Sequence, residues 1–310
     1  MSISSRTPSV TSISTDLEQP AGHYARALAE RLGPLALREG FSATGIKGVE
    51  LMFSDCHRPR EPLIYEAGLK VVVQGGKRGY LGDREIYYGA GHYLVQAMPL
   101  PFECETVASV TEPLLGISIT LDRLALGELV AQFPNEPQPS EQLPTPMAAV
   151  PIDDNFGDAL LRLTECFSDP VKCRALGSGR LQEVIFAALC GPQGVSLRRL
   201  ITDQGHYVRI AEALQFMHDH YMDAMSIEQL ARSAHMSVSH FHHHFKRTTQ
   251  QSPLQYLKRL RLLKARAMLL GGDRQVAQAA LAVGYRSTSQ FSREYKHYFG
   301  SSPGKSAALA

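Results

Sequence analysis

The spacing of apolar positions changes character along the chain. Between His23 and Arg38 they fall at helical intervals, with Tyr24, Ala27, Leu28, Leu32 and Leu35 as one stripe, and Pro34 weakening the last turn. From about residue 44 to 121 they gather instead into short runs. These are Gly48 to Phe53, Leu63 to Glu66, Leu69 to Gln74, Lys77 to Leu81, Arg84 to Tyr88, His92 to Val95, Pro101 to Thr106 and Leu114 to Leu121. Gly75-Gly76 and Gly82-Asp83 fall between runs and suit hairpin turns. The pattern predicts a small β-sandwich or barrel. Helical spacing returns over Asp122 to Gln132, Asn155 to Ser168 and Val171 to Cys190. The Pro-rich stretch Phe133 to Pro151 cannot continue a helix and reads as a surface loop, and Gly191 to Gly205 reads as a domain joint. Residues 1–20, rich in Ser and Thr, are expected to be disordered.

Beyond the joint the helical period holds to the end. His206 to Tyr221 turns Ile210, Ala213, Leu214 and Met217 inward. One pattern then occurs twice. Ser237-Val238-Ser239-His240-Phe241, Phe245-Lys246 and Ser252-Pro253 return fifty positions later as Ser287-Thr288-Ser289-Gln290-Phe291, Tyr295-Lys296 and Ser302-Pro303. Each copy predicts a helix with two faces. Val238, Phe241 and Phe245 form one inner row, and Thr288, Phe291 and Tyr295 the other. Ser239, His242, His243 and Lys246, and Ser289, Gln290, Arg293 and Lys296, point away. Ser237 and Ser287 suit N-caps. Each copy follows a short helix and a tight turn, around Ile227 to Ser233 and Val276 to Val283. Gly284 permits the positive φ of a sharp turn, and His235 occupies the corresponding place in the first copy, which predicts some strain there. Ser252-Pro253 opens a helix that Gly271-Gly272 ends. Short helix, tight turn and polar-faced helix make up a helix-turn-helix unit.

Leu230-Ala231-Arg232-Ser233-Ala234, Met236-Ser237, Phe241, Phe245-Lys246, Ser252-Pro253, Val283-Gly284-Tyr285, Ser289-Gln290-Phe291-Ser292-Arg293-Glu294 and Phe299-Gly300 resemble the AraC/XylS family of transcription regulators. The likeness covers roughly residues 206–305. It departs at His243, where the family often has Arg, and at Ala279, where it often has Ile. The runs before it, with Glu61-Pro62, Val73-Gln74-Gly75 and Gly91-His92-Tyr93-Leu94-Val95, resemble the cupin-like sensor domain of one subgroup. The resemblance implies an α+β chain: a cupin-like β-barrel with helices over residues 21–200, and an all-α half over 206–305 with two helix-turn-helix units. It implies a transcription activator that binds double-stranded DNA, takes a small-molecule or reactive-electrophile effector, works with RNA polymerase in the cytoplasm and pairs as a homodimer through the helices after the barrel.

Charge agrees with that division. The chain carries a net charge of +2, yet residues 206–310 hold 14 Lys/Arg against 6 Asp/Glu, and the rest hold 18 against 24. A basic half beside an acidic one suits a domain that meets phosphate. No apolar run reaches a membrane helix, and the five scattered cysteines lack a CxxC spacing, as expected of reduced thiols.

The family position assigns base contact to Ser239, His242, His243, Ser289, Gln290 and Arg293. The Arg293 fork fits guanine and the Gln290 amide fits adenine. Lys246, Lys296, Ser237 and Ser287 are expected at phosphates. In the barrel, Tyr65, Tyr80, Tyr87, His92, Tyr93 and Phe102 are candidates to line an effector pocket. Cys56, with His57, Arg58 and Arg60 close by, is the candidate sensing thiol. No metal or cofactor is expected: the barrel has only His57 and His92. His240 and His244 have the i, i+4 spacing of a metal pair, but no acidic or Cys partner lies near them in sequence. The rival reading is a metal-independent cupin-like enzyme with an accessory DNA-binding domain.

Overall fold

The computed structural model describes residues 20–36, 38–134, 145–202, 205–272 and 275–308. The expectation of disorder over residues 1–20 therefore falls, but for Pro20, outside the described residues. Helix α1 (Pro20–Leu32) precedes nine strands: β1 (Gly40–Ala43), β2 (Val49–Ser54), β3 (Arg58–Ile64), β4 (Gly68–Gln74), β5 (Gly76–Leu81), β6 (Arg84–Gly89), β7 (His92–Gln96), β8 (Pro101–Val107) and β9 (Leu114–Thr120). After α2 (Arg123–Val130) comes β10 (Met147–Pro151), then α3 (Asp154–Thr164), α4 (Pro170–Cys190) and α5 (Gly194–Thr202). The C-terminal half is α6 (His206–Asp219), α7 (Ile227–Ser233), α8 (Val238–Thr249), α9 (Pro253–Leu270), α10 (Val276–Ala282), α11 (Thr288–Phe299) and α12 (Pro303–Ala307). The α+β class expected from the sequence is the class observed.

The strands form two antiparallel sheets, in the orders β1-β2-β9-β4-β7-β10 and β3-β8-β5-β6. Val49 and Leu69 both pair with Ile119, and Leu51 and Val71 with Ile117, so apolar side chains stack across the middle of the larger sheet. Helix α1 packs on β4 and α3, burying Leu28 and Leu32 completely.

Three local readings are corrected. The C-terminal end of the supposed surface loop is strand β10, Met147 pairing with Gln96 and Pro151 with His92. It lies at a sheet edge, where a proline without an N–H breaks no ladder. The supposed joint contains α5, whose Leu197 and Leu200 are buried one helical turn apart. Among the described residues of that stretch, the turn at Gly191 and the extended Gly205 that caps α6 stand outside the helices. Strand β3 begins at Arg58 rather than Leu63. Its Pro59 and Pro62 disguise it, but it too is an edge strand. Strand β1 adds a further pairing, Gly40 opposite Phe53, that the sequence did not announce.

In the C-terminal half, both tight turns close the same way. The His235 and Met236 amides donate to Arg232 and Ala231 carbonyls; those of Gly284 and Tyr285 donate to Leu281 and Ala280. Both turns need a left-handed residue, with φ of 50° at His235 and 84° at Gly284. His235 thus carries the strain expected of it. Gly284 has a second constraint, since a Cβ there would lie 2.4 Å from the Met222 carbonyl oxygen. Gly284→Ala should therefore cost about 1–3 kcal/mol, measured by urea unfolding. A loss close to zero would mean that this turn is not held as described.

Candidate nucleic-acid interface

The first unit is built from its caps inward. Ser226 and Gln229 form a reciprocal capping box at the start of α7. Ser237 Oγ accepts from the His240 amide at the start of α8. Phe241 and Phe245 are fully buried, and Tyr256 of α9 meets Phe245 edge-on at 5.7 Å. Helix α6 packs against both α7 and α8. Ser239, His242, His243 and Lys246 are exposed. Val238, expected in the inner row, is 39% exposed. It sits in the first turn, beyond the edge of the core.

The second unit repeats this construction on the other end of α9. Ser287 Oγ accepts from the Gln290 amide at 3.2 Å. Phe291 and Tyr295 are fully buried, and the Tyr295 hydroxyl donates to Ser306 of α12. Ser289, Gln290, Arg293 and Lys296 are exposed, and so is Thr288, which the spacing had placed inward. Both cap serines thus spend an oxygen on their own helix; phosphate contact from them would use the remaining hydrogen-bonding capacity.

One residue of this face was missed. Glu294 accepts from the Tyr285 hydroxyl (2.8 Å) and the Gln290 amide nitrogen (3.2 Å), and pairs with Lys258 of α9 at 3.2 Å. Burial pulls its pKa upward, but the hydrogen bonds from Tyr285, Gln290 and Lys258 outweigh burial and hold the carboxyl below its ordinary value. Glu294 therefore orients Gln290 and ties α11 to α9. The readable signal was Gln290 four residues earlier on one helix face.

The barrel docks on another side of α9. The buried Tyr256 hydroxyl donates to the Pro99 carbonyl at 2.6 Å and meets His218 Nε2 at 2.8 Å. Arg266 pairs with Glu61, and Lys264 lies 3.7 Å from Glu66. Burial depresses His218 to a pKa of about 4, so its ring is neutral despite Glu66 at 3.8 Å. These contacts leave the outward sides of α8 and α11 uncovered.

The proposed pocket residues do not gather. Tyr65 and Phe102 are buried edge to face at 5.3 Å. Tyr93 stacks on Phe156 of α3 at 4.0 Å. Tyr87 is 47% exposed, and His92 is partly exposed with Nδ1 3.3 Å from the Ala90 carbonyl. His92 and Tyr93 are adjacent on β7 and so point to opposite faces, and Tyr87 is exposed, so the six positions do not line one cavity. Tyr80 and Phe102 do share a cavity of about 210 Å³. Its other walls include Arg60 and Glu103 from the barrel and Gln251, Arg259 and Tyr298 from the C-terminal half. Cys56 is exposed, but its thiol lies within 4.8 Å of Glu39 and Asp55 carboxylates, and Arg58 is engaged by Glu39.

Residues 45–196 match the family model of the AraC-type transcriptional regulator N-terminus, and residues 230–307 match that of a helix-turn-helix domain. A stretch of 125 residues is 32% identical to the transcriptional activator RhaS of Escherichia fergusonii, covering 39% of this chain and 44% of that protein. ExsA, a transcriptional regulator of Pseudomonas aeruginosa, is 27% identical over 128 residues, 41% of this chain and 45% of its own. The chain spans about half the length of the curated relatives it matches. The crystal structure of apo ToxT K231A from Vibrio cholerae superposes with a TM-score of 0.57 at 10% identity, over 88% of this chain and 99% of that one. At that identity the likeness shows a shared fold. Among the described residues no single helix is long and apolar enough to cross a membrane.

The depressed Glu294 pKa adds stability above the unfolded carboxyl pKa, and that stability is lost as pH falls through the folded value. Glu294→Gln should destabilise the chain by about 1 kcal/mol at neutral pH and flatten the acid limb of its stability curve. An unchanged acid limb would refute the role given to this carboxyl.

Proposed function

The chain belongs to the AraC family of transcriptional regulators, and from that premise we propose that it is an activator whose two helix-turn-helix units read double-stranded DNA. One observation carries the reading. Each repeated helix buries its aromatic row completely while its hydrophilic side stays exposed, clear of the docked barrel. Arg293 offers a planar donor fork to guanine O6 and N7, and Gln290, steadied by Glu294, offers its amide to adenine. Ser239, His242, His243 and Ser289 complete the base-reading set. Lys246 and Lys296 neutralise phosphate, with Ser237 and Ser287 at the helix starts.

Residues 21–200 form the sensing part and 206–305 the reading part. Control comes from a small-molecule effector bound without turnover. The cavity shared by Tyr80, Phe102, Gln251, Arg259 and Tyr298 suits this role, because an occupant would touch both halves. Exposed Val171 and Leu176 on α4 suit a homodimer contact. RNA polymerase is the partner of an activator, and the cytoplasm its place of work.

Duplexes selected from a random-sequence pool, measured by gel shift across a salt series, separate the two kinds of contact. Arg293→Ala should cost about 1–3 kcal/mol on the selected site and relax one base preference. Lys296→Ala should weaken all sequences alike and lower the salt slope by about 1. Equal losses on every sequence for Arg293→Ala would remove it from the reading set.

A further inference from the structure

Three imidazoles from two helices meet beside the first helix-turn-helix unit. His240 and His244 lie one turn apart on α8, with ring centroids separated by 5.9 Å. The third ring belongs to His206, the first residue of α6. It stacks on His244 at 3.7 Å and lies 6.2 Å from His240. In this half of the chain the sequence offered only the α8 pair; folding brings His206 beside it, a third ring that spacing could not show.

A zinc-class ion holds imidazole nitrogens at about 2.0–2.1 Å, which sets ring centroids roughly 5 Å apart in a tetrahedral site. The separations of 5.9 and 6.2 Å lie about 1 Å beyond this and must close, and the His206–His244 stack at 3.7 Å must open. His206 and His240 are exposed, so their rings can turn without disturbing the core. His244 is half-buried and supplies the anchor. Among the described residues, no ion pair to a carboxylate engages any of the three rings.

We propose that His206, His240 and His244 bind a divalent transition metal of the zinc class, with water completing the coordination. Such an ion would tie the start of α6 to the middle of α8. His243, assigned to base reading, lies 5.2 Å from His244, so occupancy and the set of the reading helix are mechanically linked.

The test uses the full chain, freed of metal by a chelator, with no DNA present. Its outcome is therefore independent of the DNA-binding reading. Cobalt(II) is titrated by its visible absorption and zinc(II) by calorimetry near neutral pH. A single tight equivalent with a tetrahedral cobalt spectrum is expected. His206→Ala and His244→Ala should each weaken binding at least about tenfold, with helical circular dichroism unchanged for the exposed His206 variant. Cys56→Ser, which removes the thiol of the Glu39, Asp55 and Cys56 group, should leave binding intact. The proposal is overturned if His206→Ala binds like the parent, if Cys56→Ser abolishes the signal, or if no saturable binding is seen.

Discussion

Neither reading helix can bury its aromatic row without α9. Phe241 and Phe245 close against Tyr256 and the first turns of that helix, and Leu260 belongs to the same core. Phe291 and Tyr295 share the second core with Leu262, Ala265 and Leu269 from its later turns. Full burial of one such side chain contributes about 1.5–3 kcal/mol, against about 1 for a helix cap. Burial of these four rings therefore decides which side of each helix faces inward, and the caps only set where each begins. The exposed hydrophilic sides follow from that choice. At 1.5 Å per residue the 18 residues of α9 span about 27 Å, close to the roughly 34 Å of one duplex turn. A helix of that length is a stiff spacer, and both units inherit its stiffness.

The same helix joins the two halves of the chain. Of its contacts with the barrel, the Tyr256 hydrogen bond to Pro99 is fully buried, so losing it would leave a buried polar group unpaired. The Lys264 to Glu66 pair is partly exposed and adds little. The two units are not equally tied to the barrel. Core packing runs without a break from the barrel through α6 into the first unit, whereas the second has a core of its own. A rearrangement of the barrel can thus reach α8 through packed side chains, and α11 along α9 and through Tyr221, which packs against both cores. The cavity at Tyr80 and Tyr298 bridges the remaining gap from the side.

Much of this was legible before folding, and the pattern of success has a physical reason. The doubled Ser-x-x-x-Phe and aromatic rows identified α8 and α11 because helical period and capping act over a few residues. The conflict at His235 was visible too, since only the absence of glycine had to be noticed. Edge strands β3 and β10 escaped because prolines mask strand patterning, and sheet edges tolerate them. The pocket residues scattered because strand alternation decides the face, and a list of aromatics ignores that parity. Glu294, for which the sequence showed only its spacing from Gln290, and His206 were missed for another reason. Their roles depend on Tyr285, Lys258 and His244, partners that only tertiary packing brings near.

The central claim is that one stiff helix fixes the distance between two reading faces. The direct measurement is the affinity of the full chain for its selected duplex after insertion of base pairs between the two contacted boxes. A half-turn insertion should abolish simultaneous contact, and a full-turn insertion should not restore it, because α9 cannot lengthen. Affinity unchanged by either insertion would contradict the account.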